Sequence, residues 1–222
     1  MPTVYICDAV QSVRELHADL LTPIARSFPI AEQLERQATR LLAGQRSGHA
    51  GAVVQLSNWH PDHVGNGEAE ILASELSPDD ARLSLAREYG FPDWAAVQAI
   101  GTDKLDPAFE RAVDALVLGD LALLQHCLDE QPDLILARSR FGHQATLLHY
   151  IAANGCETFR QCVPNNLEEV CDLLLVRGAD VNAHARIYGE STALGLLLSS
   201  AHPAAAGVVD SVAALLRSHG AT

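Results

Sequence analysis

Apolar residues recur at helical spacing through the second half of the chain. In "FERAVDALVLGDLALLQHCLDEQPDL", Phe109, Ala112, Val113 and Leu116 fall at i, i+3, i+4 and i+7, the stripe of an amphipathic helix. Gly119-Asp120 breaks the stripe, Leu121, Leu124, Cys127 and Leu128 begin another, and Pro132 ends it. This pattern predicts a hairpin of two short antiparallel helices. A second hairpin follows. Thr146 is placed to cap a helix carrying Leu148, Ile151 and Ala152 that ends near Asn154-Gly155. Leu167, Val170, Cys171, Leu174 and Leu175 form its partner, with Glu168, Glu169 and Asp172 on the outer face and Arg177 at the C-terminal end, as the helix dipole favours. A third hairpin runs from "STALGLLLSS" to "VVDSVAALLRSHGA", with Val209, Val212, Ala213 and Leu216 as its stripe. Gly178-Ala179 and Gly220-Ala221 close successive units alike, which reads as a stacked helical repeat.

The motifs sharpen this. "ATLLHYIAANG" resembles the helix-opening pattern Thr-Pro-Leu-His-x-Ala-Ala of ankyrin repeats, and "EEVCDLLLVRGADVNA" resembles an ankyrin second helix with its Gly-Ala-Asp-Val-Asn exit. The resemblance covers 107–222. It departs at Leu147, where the family has proline, at Gly195, where it has histidine, and at two insertions, 156–166 and 201–207. It implies an all-α, ankyrin-type helical-hairpin solenoid over 105–222, stacked right-handedly, with β-hairpin fingers at "RSRFGHQ" and "HARIYGES". It also implies that His149 is architectural, orienting the helix start beside Thr146.

Residues 1–104 read as a worn form of the same design. "GHAGAVVQLSNWHPDHV" lines up with "GDLALLQHCLDEQPDLI", and "ARLSLAREYGFPDWAAVQAI" has the helix-Gly-helix shape of a repeat. "QSVRELHADLLTPIARSF" and "IAEQLERQATRLL" precede them as capping helices, an order similar to that of bacterial ankyrin-repeat proteins. "VGNGEAEILASELSPDD" and "GTDKLDP" read as linkers.

Composition narrows the function. The 222 residues are 48% hydrophobic but only 5% aromatic, so Leu, Ala and Val fill the core and small-residue helix packing is favoured over a β-sandwich. A net charge of -13 argues against nucleic acid and against an anionic membrane surface as partners. Lys104 is the sole lysine among the cations, a bias suited to a GC-rich bacterial genome. Five cysteines do not make a disulfide framework, "MPTVYICDAVQSV" does not read as a leader, and no apolar run approaches a membrane span. The expectation is a cytoplasmic protein.

Candidate chemistry is sparse. His149, Cys156, Cys162 and Cys171 lack the close, regular spacing of a zinc site. Cys162, with Arg160 nearby and ahead of a helix, is the best candidate for a reactive thiol, yet no acid–base partner accompanies it. His60 and His63 beside Asp62 read as a helix end rather than a metal pair. "DDARLSLAREYGFPDWAAVQAI" has a helix-turn-helix outline, but its second helix offers no Lys or Arg, so Tyr89, Phe91 and Trp94 read as packing. No phosphate loop, nucleophile elbow or zinc-protease motif is present.

These readings favour a non-catalytic, cofactor-free protein-binding module over an enzyme. The expected contact strip is Arg138, Arg140, Phe141, His143, Phe159, Arg160, Arg186 and Tyr188, on fingers or insertions. Such a strip suits a protein segment bearing carboxylates and apolar anchors. The lengthened loop "CETFRQCVPNN" is a further candidate, because long loops in compact repeats are often functional. The absence of a polar capping helix behind "HGAT" suggests either a homodimer through the terminal repeat or a truncated array. A small redox or metal-linked enzyme using Cys156, Cys162 and His149 remains the alternative.

Overall fold

A computed structural model describes residues 2–222. It is mostly helical, with one two-stranded antiparallel sheet among the described residues. The chain forms two compact units, one of Asp8–Leu105 and one of Asp106–Thr222 joined by the first seven residues. The break after Leu105 falls in "GTDKLDP". The inclusion of the N-terminus in the second unit has no counterpart in the sequence reading, because a strand of two residues, β1 (Val4–Tyr5), carries no period to detect.

The first unit holds α1 (Asp8–Leu16), α2 (Ile30–Ser47), α3 (Ala50–Trp59), α4 (Glu68–Ala73), α5 (Pro78–Glu88) and α6 (Trp94–Ala99). Local chemistry sets several starts. Ser77 Oγ accepts from the Asp80 N–H at 3.3 Å while Asp80 Oδ2 accepts from the Ser77 N–H at 2.8 Å, and Asp93 Oδ1 caps α6 through the Ala96 N–H at 2.8 Å. The 18-residue α2 is central and touches all five other helices. The breadth of its buried face explains this: Ile30, Gln33, Leu34, Gln37, Ala38, Leu41, Leu42 and Gln45 are all inside. The first supposed linker is also structured: α4 buries Ile71 completely, and Gln45 Nε2 donates to the Ile71 and Ser74 carbonyls at 2.9 and 3.1 Å. A single apolar anchor in a polar stretch is too weak a pattern to read as a helix.

The second unit holds α7 (Pro107–Val117), α8 (Leu121–Glu130), a 3₁₀ helix Leu147–Ala152, β2 (Val163–Pro164), α9 (Leu167–Val176), α10 (Ala193–Ser199), α11 (Ala201–Ala205) and α12 (Val209–Ser218). Three pairs form hairpins: α7 with α8, the 3₁₀ helix with α9, and α10 with α12. Their first members touch in the order α7, 3₁₀ helix, α10, and their second members in the order α8, α9, α12. The predicted stripes supply the core, with Phe109, Val113, Leu116, Leu124, Leu128, Leu148, Ile151, Val170, Leu174, Val212 and Leu216 at 1% exposure or less, while Leu121 and Val209, expected on the same stripes, are half-buried. Asp106 and Asp120 cap α7 and α8 through the Ala108 and Leu123 N–H groups, each at 3.0 Å.

Two details differ from expectation. The helix begun by Thr146 is 3₁₀, every residue of it buried. The 201–207 insertion is itself helical, α11, with Pro203 buried. The exposed residues of α12 include Asp210, Ser211, Arg217 and Ser218.

Candidate functional site

The two expected fingers are tight loops of the second unit. In the first, the Ser139 N–H donates to the Ala145 carbonyl at 2.8 Å. In the second, Ala185 and Ser191 form an antiparallel bridge, with N–H···O distances of 2.9 and 3.0 Å. Tyr188 and Gly189 turn this loop with φ of +49° and +99°, the consecutive left-handed pair of a tight hairpin turn. The loops are stitched together. The Arg186 N–H donates to the His143 carbonyl at 2.8 Å, and Arg138 Nη1 donates to the Gln144 and His184 carbonyls at 2.9 and 2.7 Å. His149 braces the assembly from below. Its Nδ1 accepts from the Thr146 N–H at 3.1 Å and lies 2.8 Å from Thr146 Oγ1, while Nε2 lies 3.2 Å from the Ser191 carbonyl, so the proton sits on Nε2. Burial lowers this histidine to about 4, which keeps it neutral.

The expected contact strip divides. Arg138, Arg140, Arg186 and Tyr188 are exposed, Tyr188 at 66%, and Phe159 is half-buried. Phe141, His143 and Arg160 are 4%, 0% and 2% exposed, so these three are not contact residues. The reason is extended-chain alternation. Ser139, Phe141 and His143 point inward and Arg138 and Arg140 outward; Ala185 and Ile187 point inward and His184, Arg186 and Tyr188 outward. The period-2 pattern in "RSRFGHQ" and "HARIYGES" carried this signal, and reading the loops by composition alone missed it.

Arg160 lies beneath, in a buried ionic cluster. Its Nη1 is 2.8 Å from Glu110 Oε2 and 3.3 Å from Glu157 Oε1, and its Nη2 is 2.7 Å from Asp114 Oδ1. Glu110 and Asp114 stand one turn apart on α7, so a single helix face meets the guanidinium fork. Tyr150 Oη donates to Glu157 Oε1 at 3.3 Å, and His143 Nε2 stands 3.8 Å from the same oxygen. Burial pushes the Glu157 carboxyl up, but the Arg160 charge, the His143 side chain and a backbone hydrogen bond together outweigh it and hold the group at about 2. Burial likewise opposes the Arg160 charge, and Glu110, Glu157 and Asp114 more than offset that.

The loop expected to be a functional extension is a tie. Thr158–Arg160 is a 3₁₀ turn that carries Arg160 to α7, and β2 pairs with β1 in the register Val4↔Pro164 and Tyr5↔Val163. The Asn165 N–H donates to the Thr3 carbonyl at 2.8 Å, and Asn166 Nδ2 to the Gly119 carbonyl at 3.0 Å.

The buried thiols Cys127, Cys156 and Cys171 are unsuited to nucleophilic work. All five cysteines are unpaired with one another, and Cys127, Cys156, Cys162 and Cys171 are buried. Cys162, the best candidate for a reactive thiol in the sequence, is 2% exposed with Sγ 3.7 Å from the Phe159 carbonyl. Burial and the Glu157 charge push Cys156 well up, and burial with Asp172 and Glu168 pushes Cys171 up to about 12, the opposite of an activated thiol. Among the described residues, no three His, Cys, Asp or Glu side chains gather as a metal site requires. No helix among the described residues is long and apolar enough to cross a membrane.

Comparison with protein-family models, curated proteins and solved structures finds no match for this chain. The candidate site therefore rests on its own geometry: an exposed Arg–Tyr edge on two hydrogen-bonded loops, with a neutral histidine and a buried ionic cluster beneath.

Proposed function

We propose that this chain is a non-catalytic protein-binding module, an ankyrin-type solenoid over 106–222 that engages a partner through its finger edge. The supporting architecture is three helical hairpins whose first and second members stack in separate rows, with loops linked one to the next. The observation that carries the reading is the finger edge itself. Arg140, Arg186 and Tyr188 project outward from loops whose backbones are hydrogen-bonded to one another. A pre-ordered Arg–Tyr edge loses little entropy on binding, and these residue types dominate interface energetics. The partner segment suited to it carries carboxylates for the guanidinium groups and an apolar anchor for the Tyr188 ring.

The test is the double variant Arg140→Glu/Arg186→Glu, used beside the unaltered protein to capture partners from cells that express it. The variant should keep its helical signal and melting temperature while losing the partners held by the unaltered chain. An unchanged set of captured proteins would remove the finger edge from consideration.

A further inference from the structure

A second surface lies away from the fingers, across the row of second helices. An open groove of about 520 Å³ runs over α8, α9 and α12, and Leu121 and Leu215 line its sides. Its floor is one face of α9: Glu169, Asp172, Leu173 and Val176 all line it, at i, i+3, i+4 and i+7. That face is graded. Glu168, Glu169 and Asp172 make the N-terminal half acidic, while Leu173 and Val176 make the C-terminal half apolar. Val176 is 70% exposed. The buried stripe of α9, Leu167, Val170, Cys171, Leu174 and Leu175, already provides its packing, so the groove face is not needed to hold the unit together. Among the described residues no Lys or Arg lines the groove, and Arg177 at the end of α9 pairs instead with Asp129 at 2.7 Å.

Acid at one end and exposed aliphatic carbon at the other define what fits. A second copy seated parallel would bring the same three carboxylates against these, and one seated antiparallel would lay them over Leu173 and Val176 without a cation to meet them. An anionic or purely apolar partner would leave them desolvated and unpaired, at a cost. We propose that the groove docks a basic amphipathic helix of a partner protein. Its aliphatic anchors at i and i+3 or i+4 would rest on Leu173, Val176 and Leu215, and Lys or Arg about one turn away would face Glu168, Glu169 and Asp172. The α9 face is about 15 Å long, which matches roughly three turns of such a helix. This surface is separate from the finger edge and does not rest on that reading.

The probe is a fluorescent synthetic helix of leucine and lysine in amphipathic order, followed by anisotropy against the full chain. Binding should saturate, and Glu168→Lys/Glu169→Lys/Asp172→Lys should weaken it about tenfold or more. A control with the same charge change elsewhere on exposed acids, Glu75→Lys/Asp103→Lys/Glu190→Lys, should alter it less than about threefold. Val176→Asp is the decisive single change. It adds negative charge, so general attraction would strengthen binding, whereas loss of the apolar seat weakens it. Milder changes, Glu169→Gln and Asp172→Asn, should weaken binding in the same direction if the triple variant folds poorly. The finger variant Arg140→Glu/Arg186→Glu should bind the peptide as the unaltered chain does. The proposal is overturned by equal weakening from the control reversals, by tighter binding to Val176→Asp, or by equal binding of a scrambled peptide of the same composition. Self-association that Val176→Asp abolishes in sedimentation would likewise overturn it, in favour of a dimer.

Discussion

Arg160 is tolerated inside the second unit because Glu110, Asp114 and Glu157 meet it within 3.3 Å. Removing the cation leaves Glu157 fully buried beside a second carboxylate, and Glu157 Oε2 already has no hydrogen-bond partner. Arg160→Met is therefore expected to cost about 3–5 kcal/mol in urea unfolding, and Arg160→Met/Glu157→Gln to recover part of it. A loss below about 1 kcal/mol would mean that the cluster does not hold the loop. The buried histidines give a pH signature. His17, in the first unit, is lowered to about 4 by burial, as is His149 in the second. An unfolded histidine takes up its proton near pH 6.5, so between about pH 6.5 and 4 the unfolded chain binds more protons and stability falls as pH drops. Each group contributes on the order of 3 kcal/mol, present above pH 6.5 and lost by pH 4. Urea midpoints measured across that range check it, and a flat profile would falsify the neutral-histidine reading. Both His149 and the outward arginines were legible in the sequence, the first from a motif and the second from alternation. The fate of Arg160 was less so, because two of its three carboxylate partners, Asp114 and Glu110, lie 46 and 50 positions earlier in the chain.

At the scale of elements, the helices of the second unit follow their apolar stripes closely: α9 buries Leu167, Val170, Cys171, Leu174 and Leu175 and packs on the 3₁₀ helix, α8 and α12. The connections do not follow so simply. The 156–166 loop looks like an exposed insertion by composition, yet it supplies β2, the Arg160 tie and the Asn166 contact with the turn after α7. Gly119, in that turn, has a φ of +70°. A Cβ there would meet the Asn166 side chain, the Pro164 ring 2.7 Å away and the Pro2 ring 2.8 Å away. Gly119→Ala thus combines a left-handed strain of about 1 kcal/mol with a clash against a packed loop, and an overall loss of about 2–4 kcal/mol is expected. Gly178 has a φ of +92° with open space around it, so Gly178→Ala should cost only the strain, about 1 kcal/mol. Thermal melts of the two variants separate the turn requirement from the packing requirement. Equal losses would show that the loop does not press on Gly119.

For the whole molecule, the consequence of the topology is a second unit that is discontinuous in sequence. Residues 1–7 belong with 106–222, while 8–105 form a unit of their own between them. The link is β1 pairing with β2, extended by the Thr3 carbonyl accepting from the Asn165 N–H. A fragment that begins at Asp106 leaves these backbone groups of the 162–166 segment without their partners, and strips Pro2 from its place against Gly119. Unpaired edge groups at the surface turn to water, so the loss is modest, about 1–3 kcal/mol, but it is local. Hydrogen exchange should show it as faster exchange at Asn165 and its β2 neighbours in the 106–222 fragment than in the full chain, with the α9 and α12 amides little changed. Joining residues 2–7 to the start of that fragment through a flexible glycine–serine linker should restore protection if the strand is an integral part of the unit. If protection at Asn165 is the same with and without the strand, β1 is an ornament on the second unit, and the unit is the continuous segment that the repeat pattern alone suggests.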